Sequence, residues 1–267
     1  MNSDQNIAKL LGLDSLDEMR KQGLIERKAE GKGCVYCDYT GFLTKSDDTK
    51  SFCSCVKDKF YYEIFLQANV PTRYIGKTTE DWETRTNSNG VDLGIQEIKS
   101  QYVKQLLKFY DKNFLAICSG KNIKIKHDMN KVDTLHSIKF TGDFGSGKTF
   151  IASVMVQHAI RKNLSAKYYD WSEILETLID YNRKDEVNEL VQEFKTIDFI
   201  AIDGIQYFQV NQPNAVIQLD RLGKARINSG KPTFLMVFGD IDKIDGGVGW
   251  SSLMKSCLTI QLPHVIK

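Results

Sequence analysis

From Leu135 onward, short apolar runs alternate with longer stretches whose apolar positions recur every three to four residues. The short runs fit strands buried on both faces, and the three-and-four spacing fits amphipathic helices. The pattern predicts strands at Leu135 to Thr141, Ala166 to Tyr169, Asp198 to Ile202, Thr233 to Phe238 and Leu258 to Leu262. Between them it predicts helices at Lys148 to Lys162, Trp171 to Tyr181 and Ala215 to Asn228. Such alternation implies an α/β fold, a parallel sheet covered on both faces by helices.

Upstream the pattern changes several times. Ile7, Leu10, Leu11, Leu16, Met19 and Leu24 lie among charges and predict one or two short amphipathic helices within residues 1–30. Residues 31–56 turn to Gly, Cys, Thr and Asp with few aliphatics, which suits a metal-pinned knob better than a hydrophobic core. A helical stripe follows at Phe60, Tyr61, Ile64, Phe65 and Ala68, and Pro71 is expected to end it. Asn87 to Gly90 reads as a loop, Leu93 to Tyr110 as a long helix, and Lys121 to Asp133 as a polar surface loop or ribbon. The expected division is an N-terminal helical and metal-binding region over 1–68 and a main domain over 69–267.

Composition narrows the function classes. The 36 basic and 34 acidic residues leave a net charge of +2, too little to hold nucleic acid or an anionic membrane by bulk charge, so any such contact has to be local. No run of about 18 apolar residues exists to span a bilayer, and Met1 to Gln5 lacks the plan of a secretory signal, so a cytoplasmic protein is expected. A reducing compartment does not keep structural disulfides, so the six cysteines need another role.

The strongest chemical signal is Gly142-Asp143-Phe144-Gly145-Ser146-Gly147-Lys148-Thr149, placed between a predicted strand and a predicted helix. Its glycines allow a turn whose backbone N–H groups point inward at a helix N-terminus, a concave site for phosphate. Lys148 is expected to reach the β and γ phosphates of ATP, and Thr149 to offer its hydroxyl to Mg²⁺. The buried run Ile197 to Ile202 ends in Asp203, an acid suited to the Mg²⁺ shell. A Gly-rich turn that matches by accident would not bring this strand and acid with it.

Four cysteines are clustered. Cys34-x2-Cys37 and Cys53-x-Cys55, separated by a 15-residue loop, have the spacing of a closed four-sulfur Zn²⁺ site, structural rather than catalytic. Unliganded, these thiols would stand in a polar segment open to oxidation. Cys118 and Cys257 lie in apolar settings and read as core, and His127, His136, His158 and His264 share no metal spacing. Tyr168, Tyr169 and Trp171 read as packing residues. Tyr181-Asn182-Arg183-Lys184 mixes an aromatic with cations at a helix end, ordinarily a solvated terminus and alternatively a contact for single-stranded DNA.

Together these residues resemble the DnaC and IstB type of AAA+ ATPase, which includes the helicase loader DnaI and is close to the initiator DnaA. The resemblance runs from about residue 34 to the C-terminus. It rests on Cys34-Val35-Tyr36-Cys37-Asp38-Tyr39-Thr40-Gly41-Phe42 with Cys53-Ser54-Cys55, on Asn69-Val70-Pro71-Thr72-Arg73-Tyr74, on the P-loop and on Gly230-Lys231-Pro232-Thr233. Ile202-Asp203-Gly204-Ile205-Gln206-Tyr207-Phe208 echoes a DnaA stretch, with Gly204 in place of a second acid.

The resemblance implies a replication accessory that binds ATP, docks on a replicative DNA helicase through its N-terminal region, and engages single-stranded DNA or copies of itself. Its setting would be the cytoplasm of a bacterial cell or a phage-infected host. The alternative is an IstB-like transposition regulator acting on double-stranded DNA; a third reading is a nucleotide-dependent protein switch without DNA. The family's polar sensor falls near Phe238, and its trans-acting arginine falls in Ser251-Ser252-Leu253. With Gly204, three hydrolytic groups are missing together, so weak or partner-dependent hydrolysis is expected and no catalytic residue is assigned. Asp240, Arg221, Arg226 and Lys255 are the candidate substitutes.

Overall fold

The computed structural model describes residue 37 and residues 42–44, 50–82, 93–128, 131–206, 213–238 and 247–263. The predicted helices of residues 1–30, the loop at Asn87 to Gly90, and residues Cys34, Asp240 and His264 lie outside the described residues. The chain divides into two compact units, residues 1–67 and 68–267.

In the first unit, strands β1 (Phe42–Thr44) and β2 (Lys50–Phe52) pair antiparallel, Phe42 opposite Phe52. Helix α1 (Ser54–Gln67) follows, longer at its N-terminus than the apolar stripe alone predicts. It buries Val56, Phe60 and Ile64, one row at four-residue spacing.

The second unit carries a five-stranded sheet. Helix α2 (Leu93–Cys118) runs two turns beyond the predicted end, and a hairpin of β3 (Ile123–Asp128) and β4 (Lys131–Leu135) fills the polar stretch as a ribbon. The predicted strand from Leu135 to Thr141 is in fact the end of β4 followed by β5 (Ile138–Thr141). The chain continues as helix α3 (Lys148–Arg161), strand β6 (Ala166–Asp170), helices α4 (Trp171–Ile179) and α5 (Lys184–Thr196), and strand β7 (Phe199–Gln206). Helix α6 (Pro213–Ser229), strand β8 (Thr233–Phe238), helix α7 (Gly247–Ser256) and strand β9 (Leu258–Gln261) complete it. The strand order is β6-β7-β8-β5-β9, and every pair is parallel.

Period-two alternation sorts the strand residues between two cores. Ile200, Ile202, Leu235 and Val237 pack with the apolar faces of α4 to α7, where Trp171 and Trp250 stack at 5.1 Å. On the opposite side Phe199 and Phe234 join Tyr110 and Phe114 of α2 in edge-on contacts of 4.8–5.1 Å. Asp203, Phe234 and Phe238 therefore share a strand face by parity, which brings Asp203 and Phe238 toward the start of α3.

Helices α5 and α7 were not predicted. Helix α5 is strongly polar, with only Val187, Leu190 and Phe194 buried, and its order comes from that narrow stripe plus Asp185 and Glu186 in its first turn. Helix α7 begins with glycines that are poor helix formers, and tertiary contact overrides them. A Cβ on Gly223 would sit 2.4 Å from the Gly249 carbonyl carbon, so α6 and α7 cross backbone to backbone, and the Asp220 carboxylate accepts from Gly249 N–H at 2.7 Å.

Candidate nucleotide-binding site

The loop Gly142 to Gly147 joins β5 to α3. Gly145 and Gly147 take φ of 80° and 94°, a left-handed backbone that glycine adopts without penalty. Gly147 caps α3 with no side chain on the first-turn N–H groups, leaving them and the positive end of the helix dipole directed into the loop. Lys148 and Thr149 open the helix. The Lys148 Nζ donates to the carbonyls of Gly142 at 2.6 Å and Asp143 at 2.7 Å, and to Ser146 Oγ at 3.2 Å. Burial pushes its ammonium below the ordinary lysine range, while the carboxylates of Asp203 and Asp143 act to hold the charge.

Asp203 is 6% exposed inside β7, which runs on three residues past this acid to Gln206 instead of ending at it. Tyr168 Oη of β6 donates to its Oδ2 at 2.8 Å, fixing the carboxylate, so this tyrosine does more than the packing expected of it. Burial, followed by the Asp203 charge, holds the Tyr168 phenol well above its usual range, which keeps it a donor. The structure thus brings together the predicted loop, Lys148, Thr149 and Asp203.

The segment before α2 also flanks the site, a placement the sequence did not reveal. Gln157 of α3, fully buried, accepts from Gly76 N–H at 2.8 Å and donates to Tyr74 O at 2.9 Å. Tyr74 and Trp82 then lie 6.0 and 5.8 Å from Phe150. Trp82 donates to Ser100 Oγ at 2.8 Å, and a Cβ on Gly147 would come within 2.6 Å of its ring. The one sequence signal near this wall was the motif Asn69 to Tyr74, which carries Tyr74 but gives no hint of Trp82 or Gln157.

The positions that the resemblance assigns to hydrolysis all lie among the described residues. Gly204 is exposed with φ of 78°, at a register shift between Ile202 and Ile205 that bulges β7 beside β8. The bulge itself thus disfavours an acid there. Phe238 ends β8, and Ser252 is exposed on α7. Among the candidate substitutes, Arg226 is only 1% exposed and donates to Thr233 Oγ1 and to the carbonyls of Phe194, Ile197, Asp198 and Pro232, so it is a structural tie and not a mobile cation. Burial lowers its guanidinium to about 10. Arg221 is exposed and donates to Gln218 at 2.6 Å and Asn188 at 3.2 Å, and Lys255 is exposed on α7.

Elsewhere, Asp180, Tyr181, Lys184, Val187, Asn188, Asn214, Gln218 and Arg221 line a cleft of about 200 Å³. Arg183 is paired with Glu186. In the first unit the sulfurs of Cys37, Cys53 and Cys55 lie within 4.8 Å of one another, a soft donor set suited to Zn²⁺. Burial raises the thiols of Cys118 and Cys257 to about 12, consistent with inert core residues. No described helix is long and apolar enough to cross a membrane.

Solved structures share this fold. The DnaC helicase loader superposes with a TM-score of 0.53 at 11% identity, covering 72% of this chain and 99% of that one. AMPPCP-bound DnaA from Aquifex aeolicus gives 0.50 at 15%, covering 72% of this chain and 51% of that one, so the chain spans about half of the DnaA structure. DnaI gives 0.49 at 13%, covering 73% and 96%. No curated protein matches significantly. The architecture is that of the AAA+ P-loop NTPases. The profile of the IstB-like ATP binding proteins matches residues 83–229, more than half of the 267 residues and a stretch holding both the P-loop and Asp203. By that match, the chain belongs to the family of IstB-like ATP binding proteins.

Proposed function

We propose that the chain is a replication accessory of the helicase-loader kind, in which bound ATP acts as a conformational latch and is hydrolysed slowly or only with a partner's help. The observation that carries the nucleotide reading is the meeting of Lys148 and a buried, tyrosine-clamped Asp203 at the glycine loop. Lys148 would neutralise the terminal phosphates, the loop N–H groups would hold the phosphate chain, and Thr149 and Asp203 would hold Mg²⁺. The bound metal would supply charge stabilisation at the phosphates.

The loader role draws its support from the fold shared with the DnaC helicase loader over most of both chains. In this reading the N-terminal region docks on a replicative helicase, with Cys34, Cys37, Cys53 and Cys55 holding a structural Zn²⁺. The ATP domain meets neighbouring copies or single-stranded DNA, for which the cleft of Tyr181, Lys184 and Arg221 offers an aromatic and two cations beside one carboxylate, that of Asp180. Recovery of tagged protein from its native cell in ATP tests this. A replicative helicase should come with the wild type and be lost with Lys148→Ala; a transposase instead, or no partner, would overturn the loader role.

A further inference from the structure

Phe144, at the tip of the P-loop, is 70% exposed, yet its ring centre lies 4.0 Å from that of Phe238. The two rings come from the loop after β5 and the tip of β8, adjacent strands of the sheet. Lys148 Nζ stands 5.6 Å from the centre of the Phe238 ring while donating to Gly142, Asp143 and Ser146. The ammonium that a phosphate needs is therefore held by the loop's own oxygens under an aromatic face.

We propose that Phe144 and Phe238 form an aromatic clasp across the mouth of the P-loop, which must part before the terminal phosphate of a nucleoside triphosphate can take Lys148. This rests on the nucleotide reading above. A phosphate offers Lys148 charge-assisted bonds stronger than those to neutral carbonyls, so binding can open the clasp. Opening forfeits the ring pair and the cation–π contact, which slows loading and weakens the bound state. An aromatic at the tip of β8 thereby gates nucleotide entry where a polar sensor would contact the phosphate.

The test is stopped-flow association of a fluorescent ATP analogue with the full chain, comparing wild type, Phe144→Ala, Phe238→Ala and the double variant. Phe144 lies outside the core, so its replacement leaves the fold intact. Each single change should raise the association rate about tenfold. Phe238→Ala, which also removes the cation–π contact with Lys148, should gain at least as much as Phe144→Ala, and the double variant should gain no more than Phe238→Ala, because either single change already abolishes the ring pair. Rates within twofold of wild type, slower rates, or gains that multiply in the double variant would overturn the clasp while leaving the nucleotide site standing. Failure of every form to bind nucleotide would remove both.

Discussion

The nucleotide site has two sides of different character. The binding side, from Gly142 to Thr149 with Asp203, is polar, buried at its key charges and cross-braced by Tyr168. The positions that the resemblance assigns to hydrolysis hold Gly204 on a bulge, Phe238 at a strand tip and Ser252 on a helix surface, none of which carries a charge. The contrast teaches that holding a triphosphate and cleaving it are built from separate residues, so a chain can keep the first and shed the second.

Breaking the binding side should give the largest effect. Lys148→Ala removes the only cation within the loop, and ATP affinity measured by calorimetry should fall by about 30-fold or more, the worth of roughly 2 kcal/mol for a charged hydrogen-bonding partner. Next in size is metal removal from the first unit. Metal analysis of reduced protein should find one zinc per chain, and Cys37→Ser should lose it while ATP affinity stays within about twofold, because the P-loop unit has its own core. Absence of zinc, or loss of ATP binding in that variant, would break the separation of the two units' roles.

The smallest effect is expected on the hydrolytic side. Gly204→Glu has room, since nothing lies within 4 Å of the added Cβ, but its φ of 78° strains any L side chain. The variant should lose about 1–2 kcal/mol of stability in denaturant melts. Its turnover should rise less than about tenfold, because a transition-state cation is still missing.

How much of this was legible in the sequence follows physical lines. The P-loop could be read because phosphate chemistry demands fixed spacing, and β8 because Phe234 to Phe238 is a continuous apolar run shortly after Lys231-Pro232. Helix α5 was missed because its stripe is three residues wide in a charged stretch, and α7 because Gly223 and Gly249 permit a close helix crossing that no local propensity signals. The grip of Tyr168 on Asp203 joins residues 35 apart, and the wall of Tyr74 and Trp82 depends on Gln157, 83 residues from Tyr74. Such contacts exist only after folding. Arg226 could be a mobile cation or a buried tie on sequence alone, and only its burial decides for the tie.

The central claim is that ATP acts by being bound. The most direct measurement is single-turnover hydrolysis by the purified full chain saturated with ATP and Mg²⁺, alongside its binding isotherm. The account predicts saturable binding with cleavage at about 10⁻³ per second or slower, the range of a P-loop site that lacks its arginine. Cleavage faster than about 1 per second by the chain alone, in the range of a complete site, would contradict it.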